Sequence, residues 1–144
     1  LTSQQFQRAT ALMCAAETVR LADTATWGAT PFRIGLWVGT SVSPKRFEEA
    51  NEEIRKAVNN ASAAHRLTVL QIQRCPWCGE KIKVGDIKPD AVARRVRVYC
   101  GDQFAECPFA EGGAAGEGLP VLTVDEEIYR LAPAFVIATV DKFA

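Results

Sequence analysis

The chain has 144 residues, 48% hydrophobic and 24% charged, with 17 basic and 17 acidic side chains. That length can enclose a core of its own, and no apolar run reaches the roughly 20 residues a membrane-spanning helix needs. Zero formal charge excludes neither an anionic nor a neutral partner, so only the distribution of charge along the chain is informative.

The first predicted element is a helix from about Thr2 to Leu21, because Phe6, Ala9, Met13 and Ala16 recur at helical spacing. Cys14, within it, reads as a small buried core residue. A loop of Thr, Gly and Pro leads to Phe32-Arg33-Ile34-Gly35-Leu36-Trp37-Val38, whose β-formers predict a buried strand. Ser43 is placed to cap a second helix with Pro44 at its first position and Phe47, Ala50, Ile54, Ala57 and Val58 on its inner face. His65, the only histidine, falls near this helix's end beside Arg66, where a solvated or capping role is expected and metal ligation is not. Helix, strand and helix in this order predict α/β layering.

Leu67 to Arg74 reads as another strand, and it delivers the chain into Cys75-Pro76-Trp77-Cys78. A second pair, Cys100 and Cys107, follows after 21 intervening residues, with six residues, Gly101 to Glu106, between its members. A Cys-x2-Cys turn converges two thiolates on one ion and the second pair completes four, so Cys75, Cys78, Cys100 and Cys107 are the candidate ligands of a structural Zn2+ with no open position. Gly79 is expected to reverse the backbone with positive φ. Three other uses of the cysteines compete. A disulfide is disfavoured by the odd cysteine count and the lack of a secretory signal. A redox dithiol would open a helix, whereas Lys81-Ile82-Lys83-Val84 alternates like a strand. An iron site would prefer two similar Cys-x2-Cys knuckles.

Lys81–Val84 and Val96–Tyr99 are the expected paired strands of a zinc ribbon that ends near Ala110. The Gly-rich stretch 111–118 reads as a flexible linker. Thr123 with Glu126 matches a capping box for a short helix through Leu131, and Pro133 ends it before the strand Phe135-Val136-Ile137-Ala138. The predicted organisation is an α/β segment over 1–73, a zinc-ribbon insertion over 74–110, the linker over 111–118 and a second α/β segment over 119–144.

Charge divides within this region. Arg74 to Cys100 holds seven basic and three acidic residues, whereas Gly101 to Glu127 holds seven acidic residues and no basic one. Arg94, Arg95 and Arg97, with Lys81, Lys83 and Lys88, would suit a phosphate-binding face. They would equally offset the net negative charge of a four-thiolate zinc centre. Val121-Leu122-Thr123-Val124-Asp125-Glu126 looks like a strand ending in a magnesium-holding acid pair. Helix-start acids are the better reading, because no Gly-x4-Gly-Lys-Ser/Thr phosphate cradle occurs in these residues.

The opening Leu1-Thr2-Ser3-Gln4-Gln5-Phe6-Gln7-Arg8-Ala9, the strand Arg33 to Thr40, the four cysteines and the stretch Phe135 to Ala144 together resemble the DrmA family, the helicase-like subunits of the DISARM phage-defence system. The resemblance covers essentially the whole chain. It implies part of a RecA-like, parallel-sheet lobe of a superfamily 2 helicase, interrupted by an inserted four-cysteine zinc ribbon. It also implies an internal piece of a larger, cytoplasmic protein, with ATP and Mg2+ used only by the intact parent. By similarity, Ile137 to Lys142 takes the place of the motif with which such helicases touch the nucleic-acid backbone, although Val140-Asp141-Lys142 departs from the frequent Pro-Gly-Arg. Gly39, Thr40, Thr139 and Lys142 are then candidate contacts at strand ends, and Arg94, Arg95 and Arg97 a secondary surface. The expected partner is nucleic acid, with DNA preferred and other defence-system subunits as further partners. The rival expectation is a structural zinc module that docks proteins and binds no nucleic acid. An autonomous metalloenzyme is the poorest reading, since four cysteines leave no site for water.

Overall fold

The computed structural model describes residues 2–39, 43–60 and 67–143. Helix α1 (Thr2–Ala22) has the predicted extent, but its inward face is turned by one position. Phe6, Thr10, Cys14, Glu17 and Arg20 are buried, while Ala9 and Met13 pack at the margin. The polar members are satisfied internally. Thr10 donates to the Phe6 carbonyl at 2.6 Å, and Glu17 pairs with Arg20 at 2.7 Å while accepting the Phe32 amide at 2.5 Å. Charged side chains enter a core only when paired in this way. A short helix α2 (Thr24–Trp27), capped by Asp23, leads to the first strand.

Strand β1 (Ile34–Trp37) is the centre of a three-stranded parallel sheet, between β4 (Val121–Leu122) and β5 (Phe135–Ala138). Ile34 aligns with Val121 on one side and Phe135 on the other. Ile34, Gly35 and Leu36 are all buried, as a parallel strand covered on both faces requires.

Helix α3 (Phe47–Asn59) begins three residues after Pro44, the expected start. Ser43 does not cap it; its hydroxyl donates to the Val38 carbonyl at 3.5 Å. The Glu126 carboxylate, from the far end of the sequence, instead accepts the Phe47 amide at 3.0 Å. Phe47, Ala50, Ile54 and Ala57 are buried as expected, but Val58 is 65% exposed. His65 and Arg66 lie outside the described residues.

Residues 67–74 form turns and extended chain instead of a strand, with Leu67, Val69 and Ile72 buried. Only Arg74 makes a ladder contact, an antiparallel bridge to Lys81. The ribbon's hairpin is also shifted. Lys81–Val84 gives way to a 3-10 turn at Val84–Asp86, and the paired strands are β2 (Ile87–Asp90) and β3 (Arg95–Val98). Pro89 obscures β2 in the sequence, yet an edge strand tolerates it. Asp90 closes the intervening turn by accepting the Val92 and Ala93 amides, both at 3.0 Å.

Helix α4 (Asp125–Leu131) lacks the predicted capping box, because both partners are engaged elsewhere. Thr123 donates to the Val69 carbonyl at 3.0 Å and Glu126 serves α3. The Asp125 and Glu126 amides bond to the Pro44 and Lys45 carbonyls, at 3.1 and 2.9 Å. Buried side chains of the sheet, such as Ile34 and Leu36, belong to the same core cluster as Ile82, Ile87, Val96 and Phe109 of the ribbon. Among the described residues no helix is long and apolar enough to cross a membrane.

Candidate metal centre and strand-end cleft

The two cysteine pairs converge. The sulfurs of Cys75, Cys78, Cys100 and Cys107 lie within 4.8 Å of one another, with Cys75–Cys107 at 3.9 Å and Cys78–Cys100 at 3.4 Å. Four thiolates around one ion at about 2.3 Å have tetrahedral edges of about 3.8 Å, whereas a disulfide would need about 2 Å. The cluster therefore fits one closed, four-coordinate metal ion. Local backbone chemistry builds each half. The Gly79 amide donates to the Cys75 carbonyl at 2.8 Å, and Gly79 takes φ +85° as expected. Asp102 organises the wider loop by accepting the Cys107 amide at 2.8 Å and the Phe104 amide at 3.0 Å. The halves meet at Gly101, where a Cβ would stand 2.0 Å from the Lys81 carbonyl oxygen, so only glycine fits.

The electrostatics ask for a cation. Burial pushes Cys107 up to about 12, with Cys75 adding to the rise, and burial also raises Cys100. Cys78, at the exposed mouth, falls below the ordinary thiol range: burial opposes this, but the Glu80 amide and the neighbouring thiols prevail. A bound ion would supply the positive charge that favours thiolates in such a cluster. Cys14 is separate from the ligand set. Its thiol is raised first by burial and then by Cys75 and Cys107, with which it shares the buried core.

The arginines point elsewhere than their sequence pattern implies. Arg95 is 5% exposed and joins Glu127 at 2.9 Å and Glu117 at 3.1 Å. Glu117 in turn takes Arg33 at 2.9 and 3.0 Å. Arg95 is thus an inward tie between ribbon, loop and sheet, and it is not available on a phosphate-facing surface. Arg94 joins Glu48 at 2.6 Å and Glu126 at 2.9 Å and lies over the Phe47 ring; Arg97 joins Asp90 at 2.7 Å. Glu117, Glu126 and Glu127 are the partners that the pattern of basic residues alone does not reveal. The surplus of acids from Gly101 to Glu127 was the available signal.

At the C-terminal ends of β1 and β5 lies an open cleft of about 770 Å³, lined by Trp37, Lys45, Arg46, Asp125, Tyr129 and Lys142 among others. Open α/β sheets bind ligands at such edges. The Thr139 amide donates to the Trp37 carbonyl at 3.2 Å, and its hydroxyl is buried without a hydrogen-bond partner among the described residues. Lys142 pairs with Asp125 at 2.9 Å and sits 5.6 Å from the centre of the Trp37 ring. Gly39 follows β1, half-buried, on the same side; Thr40 lies outside the described residues. Trp37 and Tyr129, edge to face at 5.4 Å, are the aromatic lining that sequence reasoning did not single out.

No protein-family model matches the chain. The chain is 32% identical, over 149 aligned residues, to the DISARM protein DrmA of Bacillus paralicheniformis (strain ATCC 9945a / NCIMB 11709 / CD-2). The match covers 100% of this chain and 13% of that protein, so the chain spans about an eighth of its relative's length. The four cysteines, the parallel strands and the strand-end motif all lie inside this match, and the chain thus belongs to the DrmA family of DISARM proteins, matching one segment of a much longer member.

Proposed function

We propose that this chain is the part of a DrmA-type helicase or translocase that engages nucleic acid, DNA in preference to RNA, with Zn2+ bound as a structural ion by Cys75, Cys78, Cys100 and Cys107. The observation that carries this reading is the cleft at the C-terminal ends of β1 and β5, with Lys142 and the Thr139 turn at its edge. The Thr139 hydroxyl, which has no hydrogen-bond partner among the described residues, and the Lys142 ammonium, on exchanging Asp125 for a phosphate oxygen, can meet a backbone in that position. The metal contributes a cross-link between two loops and no chemistry of its own, since four thiolates leave no vacant position. ATP hydrolysis with Mg2+ belongs, in this proposal, to the intact parent, as do contacts with other defence-system subunits.

A second reading, a zinc-braced structural module that docks a protein, is favoured by one observation. Arg94, Arg95 and Arg97 are all committed to acids of the same chain. The two readings separate in one experiment. The metal-loaded chain is titrated into labelled single-stranded and duplex DNA and RNA at low and moderate salt, with Lys142→Ala and Thr139→Val alongside. Salt-dependent binding that weakens severalfold in both variants is expected. No binding at low salt by a chain that retains its metal overturns the nucleic-acid reading in favour of docking.

A further inference from the structure

Once the ion pairs are assigned, the free cations of the ribbon prove to be a different set from its arginine cluster. Lys88 meets Glu111 at 3.7 Å, and Arg94, Arg95 and Arg97 are tied as described. Arg74, Lys81 and Lys83 have no acidic partner among the described residues; the one side-chain bond that Arg74 makes is to the Gly79 carbonyl, at 3.2 Å.

The backbone places these three together. Arg74 and Lys81 are directly opposed across the antiparallel bridge at the base of the first knuckle. The flanking bonds run from the Cys75 amide to the Glu80 carbonyl and from the Ile82 amide to the Gln73 carbonyl. In such a non-hydrogen-bonded pair the side chains share one face and stand closest. Lys83 is two residues beyond Lys81 and shares its face, while Ile82, between them, is buried on the other. Glu80 is out of phase with this face, and Asp86 commits one carboxylate oxygen to the Lys83 amide at 2.7 Å. Like charges set opposite one another destabilise a ladder; the four-thiolate centre offsets part of that cost, and an anion bridging the cations would offset more. Three residues on from Arg74, in the same knuckle, Trp77 is 44% exposed and packs edge to face on Phe109 at 6.0 Å.

We infer that the first knuckle is a second contact for single-stranded nucleic acid, in which Arg74, Lys81 and Lys83 take consecutive phosphates and Trp77 stacks on an unpaired base. The inference rests on the nucleic-acid reading above and adds a site to it, away from the strand-end cleft. An exposed indole and free cations on one short hairpin are the combination that sequence-tolerant single-strand binding uses, and a duplex offers no free base face inside its stack.

The test uses the metal-loaded chain, a labelled oligothymidine, a duplex of equal length and inorganic polyphosphate, with Arg74→Gln/Lys81→Gln/Lys83→Gln, Trp77→Leu and Lys142→Ala as variants. Metal content is measured on each. The triple variant is expected to keep its metal and to lower the salt slope for oligothymidine by about 2, since each phosphate contact on a single strand contributes roughly 0.7. Trp77→Leu is expected to lose about tenfold in affinity for oligothymidine, with little change for polyphosphate. Loss in Lys142→Ala with no change in the knuckle variants would overturn this site while leaving the nucleic-acid reading intact. Absence of binding by the unaltered chain would overturn both. Loss of metal in the triple variant would show that the three cations serve only to balance the thiolates, and would also overturn the site.

Discussion

Arg95 on β3 and Glu127 on α4 face each other at 2.9 Å with side chains 5% and 1% exposed, and the Glu127 carboxylate also accepts the Val96 amide at 3.1 Å. The ribbon is thereby fastened to the helix that packs on the sheet. Removing one member of a buried pair strands the other charge, at a cost of about 3–5 kcal/mol. Arg95→Ala is therefore expected to lower the urea midpoint substantially, whereas Arg97→Ala, which frees only a partly exposed Asp90, should shift it far less. Equal losses would show that the buried tie has no special weight.

Acidification should act through Glu117. Burial opposes its ionisation, but Arg33 and Arg95 prevail and hold it below the ordinary glutamate value of 4.5. A depressed acid contributes stability that is full above 4.5 and is lost as pH falls through its folded-state value. Glu127 has the opposite sign: burial raises it, so its ionisation penalises the folded chain as pH rises past 4.5. Glu117→Gln is expected to melt well below the unaltered chain at pH 7, with the gap closing below pH 4.5. A gap independent of pH would mean that lost packing, not charge, causes the change.

The metal centre should account for four of the five thiols. One equivalent of zinc is expected per chain, with Cys75, Cys78, Cys100 and Cys107 protected from alkylation until a chelator removes it. Cys107→Ser should lose the metal and unfold the ribbon, while Cys14→Ser should keep full stoichiometry. Metal retained by Cys107→Ser would remove that residue from the ligand set.

Gly101→Ala tests the contact between the knuckles. The added Cβ would meet the Lys81 carbonyl oxygen at 2.0 Å, whereas one at Gly85 would meet nothing within 4 Å. Gly101→Ala should lower both stability and metal retention, by about 1–3 kcal/mol in stability. Gly85→Ala should be nearly silent. Thermal melts with parallel metal analysis decide between these outcomes.

What could be read in advance divides along sequence distance. The α1 helix and β5 emerge from local periodicity and breakers alone, and the four thiols converge because their spacing already encodes closure of two loops. The start of α3 could not be read locally, since the carboxylate that accepts its Phe47 amide is Glu126, far along the chain. The hairpin register was hidden for a different reason: Lys81-Ile82-Lys83-Val84 alternates perfectly, yet extended chain with a single bridge alternates too. Arginine roles were the least legible. A run of basic residues looks the same whether phosphates or distant glutamates await it, and nothing in the Gly-rich stretch marks Glu117 as the shared partner of Arg33 and Arg95.

The position of β1 bears on the order of assembly. Both of its sheet partners, β4 and β5, arrive only near the far end of the chain. The search for them must carry the ribbon along as part of one very long loop. Closing such a loop is slow when the intervening chain is loose. A metal ion that gathers residues 75–107 first would shorten the effective distance between β1 and its neighbours, making the ion a pacemaker of sheet formation. Refolding from denaturant should then be faster when zinc is present from the first moment than when it is added after collapse.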